Sequence, residues 1–149
     1  MIGPWHPQLP IIQDARYLQE AAIKGGKFIE VKGIMAKRLI NREGALSTSN
    51  SLQYHLDIFH NAEEIYDYWK GDLTEEKRGA LLHVFGYCAR NLFEVDRKTF
   101  EQVFIYLQKL SNGRYFPKQP KSLRFLSMLL GYKTAEQMAY FYRNAKRIF

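Results

Sequence analysis

The sequence predicts a mainly α-helical protein with a small β hairpin near its N-terminus and about five helices in a bundle-like arrangement. Apolar residues recur at helical spacing from residue 52 to the C-terminus, and capping residues precede several of these stretches. Two short runs of β-forming residues occur only before residue 41. At 149 residues and 46% hydrophobic content, one compact core is expected. We therefore predict a single domain, with a mixed α/β start (1–49) and a helical remainder (50–149).

The N-terminal part begins with an amphipathic helix, predicted over Ala15–Lys24 and ended by Gly25-Gly26. The hairpin strands are predicted at Lys27–Val31 and Ile34–Ile40. Unpaired strand edges and uncovered apolar side chains seek a partner. Because a twofold arrangement lets one patch cover itself, the hairpin predicts a homodimer. Its uncovered apolar side chains would include Ile11, Ile12, Phe28, Val31 and Ile34.

The helical remainder divides at capping and breaking residues. The predicted N-caps are short polar side chains that precede apolar stretches: Ser49 or Asn50, Thr74, Asp96 and Thr134. The predicted ends are Gly71, about Leu92, Asn112-Gly113 and Gly131. A linker with Pro117 and Pro120 precedes a short helix, Ser122–Leu130. The last helix offers four side chains to the core: Met138, Phe141, Tyr142 and Ala145.

Positive charge is concentrated at the C-terminal end. Residues 109–149 carry nine basic side chains against one acidic, whereas the first 108 residues carry thirteen basic and fourteen acidic. This asymmetry is typical of a chain with a polyanionic neighbour: anionic lipid, a phosphate-bearing substrate or nucleic acid. A solvated basic face is the other interpretation. Aromatic residues beside basic ones, as at Arg114-Tyr115-Phe116, suit base stacking but are more often core residues.

Common catalytic and cofactor motifs are not present in the sequence. It contains no GxSxG, P-loop or GxGxxG, and its four histidines are dispersed. His55 and His60 are five residues apart, which disfavours a helical zinc site, so no metal or cofactor is expected in this chain. Cys88 is expected to be a buried apolar residue. Without a leader-like start or an apolar run of about 20 residues, a cytoplasmic protein is expected, peripheral at the inner membrane face if it binds lipid.

Among the carboxylates, Asp14 has the sequence setting that best fits a functional role. It stands at the start of the first predicted helix, where aspartate is a frequent N-cap. A carboxylate held at a rigid helix start is also suited to remove a proton from a hydroxyl nucleophile. The residues alone leave both interpretations open.

A resemblance to a known family bears on this choice. The run Gly3-Pro4-Trp5 followed by Leu9–Arg16, with its Gln13-Asp14 step, resembles a family 2 glycosyltransferase segment in which an aromatic turn precedes an acidic step. The later Gly44-Ala45-Leu46-Ser47 and the C-terminal Leu129-Leu130-Gly131-Tyr132 are also similar to family segments. The resemblance implies that Asp14 is the general base for an acceptor hydroxyl in an inverting transfer. Substrate contacts would come from Trp5, Gln13 and Arg42.

The sequence also departs from this family pattern. Arg42 stands where the family often has a metal-binding histidine, and Ala45 where serine is usual. A guanidinium at this position would neutralise a diphosphate directly. The nucleotide-binding half and its Asp-x-Asp motif are not found in these residues. The expectation is therefore the C-terminal, acceptor-side portion of a glycosyltransferase, inactive alone. A complete enzyme would use a nucleotide sugar, a divalent metal and a sugar or lipid-linked acceptor.

The alternative function belongs to another class. A non-enzymatic helical interaction module would use its basic tail to dock on anionic lipid or nucleic acid. An upstream Asp-x-Asp strand motif in the same reading frame would favour the transferase. A free-standing gene without one would favour the module.

Overall fold

The computed structural model describes residues 9–30, 32–33 and 50–148, which form six helices. These are α1 (Gln13–Ile23), α2 (Ser51–Trp69), α3 (Glu75–Val95), α4 (Arg97–Leu110), α5 (Lys121–Leu130) and α6 (Tyr132–Ile148). Contacts divide the chain into unit 1 (Met1–Asn61) and unit 2 (Ala62–Phe149), with α2 contributing to both. The mainly α-helical fold class is confirmed. Among the described helices, none combines the length and the apolar character needed to cross a bilayer.

The predicted hairpin is not found in the described part of the chain. Lys27–Glu30 forms no strand and is exposed, with Phe28 at 61% and Ile29 at 86% of full exposure. Val31 and Ile34–Ile40 lie outside the described residues. Residues with β-forming side chains make a strand only when a neighbouring strand satisfies their backbone groups, and no described residue does so here. Ile12, expected to be uncovered, is buried. The predicted dimer stays a prediction.

Three helix starts follow the predicted capping chemistry. Asn50 Oδ1 accepts a hydrogen bond from the Gln53 amide at 3.2 Å, and Thr74 Oγ1 accepts one from the Lys77 amide at 3.3 Å. Asp96 Oδ1 accepts one from the Thr99 amide at 3.0 Å. Each bond satisfies an amide that has no partner within the first helical turn. The caps at Asn50, Thr74 and Asp96 are confirmed.

The start of the last helix differs from the prediction. α6 begins at Tyr132, so Thr134 lies inside the helix and does not cap it. Gly131 ends α5 with φ +79° and accepts the first bond of α6, from the Ala135 amide at 3.0 Å. A positive φ is available to glycine at no steric cost, so one residue reverses the chain and opens the next helix.

Unit 2 has an aromatic core. α3 packs on α4, α5 packs on α6, and α3 also touches α6. Phe93 and Phe100 meet edge to face at 4.8 Å, and Phe85 stacks on Tyr106 at the same distance. The Arg97 guanidinium covers the Phe93 ring at 3.8 Å. These contacts bury the stripes of α3 and α4 that the helical spacing predicted.

Candidate functional sites

Asp14 lies in the first turn of α1 with its side chain exposed. It is not the N-cap, because the helix begins at Gln13 and Ile12 occupies that position. Asp14 Oδ1 accepts a hydrogen bond from the Ala15 amide at 2.8 Å. The capping interpretation is therefore wrong, since the helix starts two residues earlier than predicted. Negative charge in the first turn is still favoured by the helix dipole.

A buried carboxylate anchors the chain that leads into α1. Asp57, fully buried on α2, accepts hydrogen bonds from the Ile11 amide and from Gln53 Nε2, both at 2.7 Å. Leu9 and Ile12 are buried on either side of this bond. The backbone just before Asp14 is thereby fixed to α2 by a charge-assisted bond. Sequence reasoning did not identify Asp57. The signal that could have identified it is a single acidic residue in the stretch Leu52–Phe59, whose apolar residues recur at helical spacing.

The first two turns of α1 are attached to α2 as well. Asn61 Oδ1 accepts from Arg16 Nη1 at 3.3 Å, and Asn61 Nδ2 donates to Gln19 Oε1 at 2.8 Å. One asparagine thus makes a hydrogen bond to each of two side chains on the same face of α1. Together with Asp57, it makes the start of α1 a rigid support for an exposed carboxylate.

The other predicted site residues are placed only in part. Gln13 is half-buried and directly precedes Asp14 at the helix start. Trp5 and Arg42, two of the predicted substrate contacts, lie outside the described residues. In the described part of the chain, no group of three or more His, Cys, Asp or Glu side chains is placed to hold a metal ion.

A second candidate site, which we call the basic pocket, lies within unit 2. Its volume is about 720 Å³, within the range typical of small-molecule sites. One wall is a stripe of α3 that runs from Gly79 through Gly86 to Arg90, residues separated by whole helical turns. The segment 114–119 forms the second wall, and α5 and α6 contribute Leu123, Arg124 and Tyr132.

Four cationic side chains line the basic pocket: Arg90, Arg114, Lys118 and Arg124. No acidic residue is among the described residues that line it. Within the described residues, none of the four makes a side-chain hydrogen bond or an ion pair. By contrast, Lys133 pairs with Glu101 at 2.7 Å elsewhere in unit 2. The pocket therefore concentrates uncompensated positive charge.

Aromatic rings form part of the pocket surface. Tyr115 lies against Gly86 so closely that a Cβ on Gly86 would stand 2.0 Å from the tyrosine hydroxyl. Its ring meets that of Tyr132 edge to face at 4.9 Å. Burial, followed by the negative charge of Glu136, raises the pKa of Tyr115 to about 12. The same two causes raise the pKa of Tyr132. Both hydroxyls therefore keep their protons at neutral pH and stay hydrogen-bond donors.

Glu136 lies behind these tyrosines and is fully buried. Its Oε1 accepts from Arg143 Nη1 at 3.0 Å, two helical turns along α6. Its Oε2 has no hydrogen-bond partner of good geometry among the described residues, although its charge acts on Tyr132. The pairing of Glu136 with Arg143 offsets part of this buried negative charge.

The outer faces of α5 and α6 carry exposed apolar side chains. On α5 these are Phe125, Met128 and Leu129, each more than 60% exposed, at positions that share one helical face. On α6, Met138, Phe141 and Tyr142 are 46%, 61% and 62% exposed, and Ala145 is exposed as well. The expectation that these four residues pack in the core is wrong. The buried face of α6 instead contains Tyr132, Ala135 and Glu136.

The comparisons do not place the chain in a family: no family model, characterised protein or solved structure matches it.

Proposed function

We propose that this chain is the acceptor-side portion of a family 2 type glycosyltransferase that transfers a sugar from a nucleotide-sugar donor to a hydroxyl. Asp14 is the general base that takes the proton of the acceptor hydroxyl. The observation that carries the proposal is the exposed Asp14 carboxylate on an anchored helix start. The resemblance of residues 3–16 to the family segment supports the same role.

The residues that precede Asp14 hold its carboxylate in position. A general base contributes only if its oxygen stays within hydrogen-bond reach of the reacting hydroxyl. Residues 9–12 are held by two buried side chains and by the bond from the Ile11 amide to Asp57. Little conformational freedom then remains to be lost when an acceptor binds. Gln13, at the adjacent position, is the residue that would contact the acceptor.

The test is sugar transfer by the complete gene product that contains these 149 residues. Donor use is followed as nucleoside diphosphate release across a panel of nucleotide sugars and hydroxyl acceptors. Asp14→Asn should lower kcat by about 100-fold or more with little change in KM, because the amide has nearly the same shape but does not accept the proton. Asp14→Glu, which keeps a carboxylate, should recover part of the activity. Glu30→Gln removes another exposed unit 1 carboxylate and should leave kcat unchanged.

Equal activity of Asp14→Asn and the native protein would exclude this base assignment. If the gene product consists of these residues alone, no turnover is expected, because transfer requires both substrates in attack geometry. Turnover by the 149 residues alone would overturn that part of the proposal.

We propose a second candidate, docking of unit 2 on an anionic membrane surface, because of the exposed face of α5. Lys121 and Arg124 share this face with Phe125, Met128 and Leu129. Apolar side chains that enter the interface, next to cations that meet anionic headgroups, are the elements of an interfacial helix. This role is compatible with a lipid-linked acceptor.

Vesicle binding tests this candidate. Binding should rise with the fraction of anionic lipid and weaken as salt increases. Substituting Phe125, Met128 and Leu129 together by serine should weaken binding by at least about tenfold, since each side chain loses apolar burial. Ile105→Ser, which changes an exposed apolar residue on α4, is the matched control. Equal binding to neutral and anionic vesicles would exclude the candidate, and binding to nucleic acid without vesicle binding would identify the other polyanion.

A further inference from the structure

We propose that the basic pocket binds an organic phosphate, with the phosphate among Arg90, Arg114, Lys118 and Arg124 and the organic part against the aromatic rings. This inference does not depend on the proposed transferase activity or on Asp14. It rests on how cations, rings and space are arranged within unit 2.

Charge identifies the anionic part of the ligand. Arg90 is half-buried, and its charge acts on the nearby Tyr132 hydroxyl, but its side chain makes no ion pair or hydrogen bond with the described residues. A partly desolvated guanidinium without an anion is unfavourable, and a phosphate group offers the oxygens that match its donors. Arg114, Lys118 and Arg124 are exposed around the same space, so a bound anion interacts with several cations at once.

Volume and ring chemistry identify the rest of the ligand. A space of about 720 Å³ is much larger than one phosphate requires. Tyr87, Tyr115 and Phe116 supply aromatic surface beside the cations. A planar ring joined to a phosphate or diphosphate would satisfy both parts of the pocket by stacking and ion pairing. Two sources have this phosphate chemistry: a soluble phosphorylated compound and a lipid headgroup.

Gly79 provides a means of blocking the pocket without changing its charge. It lines the pocket on α3, and a Cβ at this position would meet no atom within 4 Å. A leucine there enters open space and replaces glycine by a better helix former. Gly79→Leu is therefore expected to fold and to occupy volume that the ligand needs.

The experiment is calorimetric titration of the 149-residue chain at low salt with pyrophosphate and with adenosine diphosphate, and in parallel with vesicles that contain phosphatidic acid. Saturable binding of adenosine diphosphate at one site is expected, about fivefold or more tighter than that of pyrophosphate because the ring stacks. Arg90→Gln and Gly79→Leu should each weaken binding by about tenfold or more. Lys109→Gln, which removes an exposed charge outside the pocket, should change it by less than about twofold.

Each outcome bears on the proposal. Binding to phosphatidic acid vesicles but not to either soluble probe, lost in both pocket variants, would support it with a lipid as the source. Binding of pyrophosphate and adenosine diphosphate with equal affinity would overturn the aromatic part. Failure of both soluble probes, together with vesicle binding that is absent or unchanged in Arg90→Gln and Gly79→Leu, would overturn the proposal as a whole. Equal losses in Lys109→Gln and Arg90→Gln would also overturn it.

Discussion

Two glycines of α3 should respond in opposite ways to the same substitution. Replacing glycine by alanine inside a helix normally stabilises it by about 1 kcal/mol, because the backbone of the unfolded chain loses freedom. Gly79 faces open space, so Gly79→Ala should show this gain. At Gly86, the new Cβ would stand 2.0 Å from Tyr115 Oη and 3.0 Å from Cζ. Both distances are well below an ordinary contact.

The ring of Tyr115 must therefore move by roughly 1.5 Å to restore an ordinary contact distance. Overpacking of this kind costs about 1–3 kcal/mol, which offsets or exceeds the gain in helix propensity. The displaced ring would also lose its edge-to-face contact with Tyr132. Because the helix-propensity gain is the same at both positions, we expect Gly86→Ala to be less stable than Gly79→Ala by about 1–3 kcal/mol.

Urea unfolding of the two variants, followed by circular dichroism, measures this difference. Adding Tyr115→Phe removes the hydroxyl, the atom nearest to the new Cβ, so the cost of Gly86→Ala should be smaller in that background. Equal stability of Gly86→Ala and Gly79→Ala would refute the packing of Tyr115 over Gly86 and, with it, this wall of the basic pocket.

Three further outcomes are expected. Asp96→Ala should lower the free energy of unfolding by about 1 kcal/mol. Because the hydrogen bond from the Thr99 hydroxyl lowers the pKa of Asp96, this difference from the native protein should persist above pH about 4 and disappear as pH falls through the lowered pKa. A difference that stays constant down to pH about 2 would contradict the cap. Cys88, whose pKa burial raises to about 12, should resist a disulfide reagent until urea opens unit 2; rapid labelling of the folded chain would contradict its burial. Because Tyr115 has a raised pKa of about 12, its contribution to the free energy of unfolding should be complete below pH about 10 and lost toward pH 12. Tyr115→Phe should reduce that loss. If stability depends on pH in the same way in Tyr115→Phe and in the native protein, the assignment of this loss to Tyr115 is contradicted.

Local chemistry explains why three of the helix starts, those capped by Asn50, Thr74 and Asp96, were predictable. A cap such as Asp96 acts on an amide three residues away, so its effect is contained in a short stretch of sequence. Gly131 was recognised as an end, but the immediate start of α6 depends on its backbone angles, which the sequence does not specify. The hairpin prediction rested on β-forming residues without evidence of a pairing partner, and strand formation is decided by that partner.

The candidate sites also depend on contacts between distant parts of the sequence, which local patterns do not predict. The basic excess after residue 108 indicated either a polyanionic neighbour or a solvated basic face, but Arg90, which lines the basic pocket, comes from the nearly neutral first part of the chain. Tyr115 and Gly86 are 29 positions apart, and only tertiary packing places one over the other. The hydrogen bond from the Ile11 amide to Asp57 likewise spans 46 positions. By contrast, a helix close to Asp14 could be predicted from local sequence, although it begins at Gln13, two residues earlier than expected.

The anomeric configuration of the transferred sugar tests the central claim most directly. A base that activates the acceptor hydroxyl for a single displacement inverts the configuration at the anomeric carbon. Proton NMR of the product made by the complete gene product should show the configuration opposite to that of the donor, and Asp14→Asn should slow its formation by about 100-fold or more. Retention of configuration, or a rate unaffected by Asp14→Asn, would contradict the account.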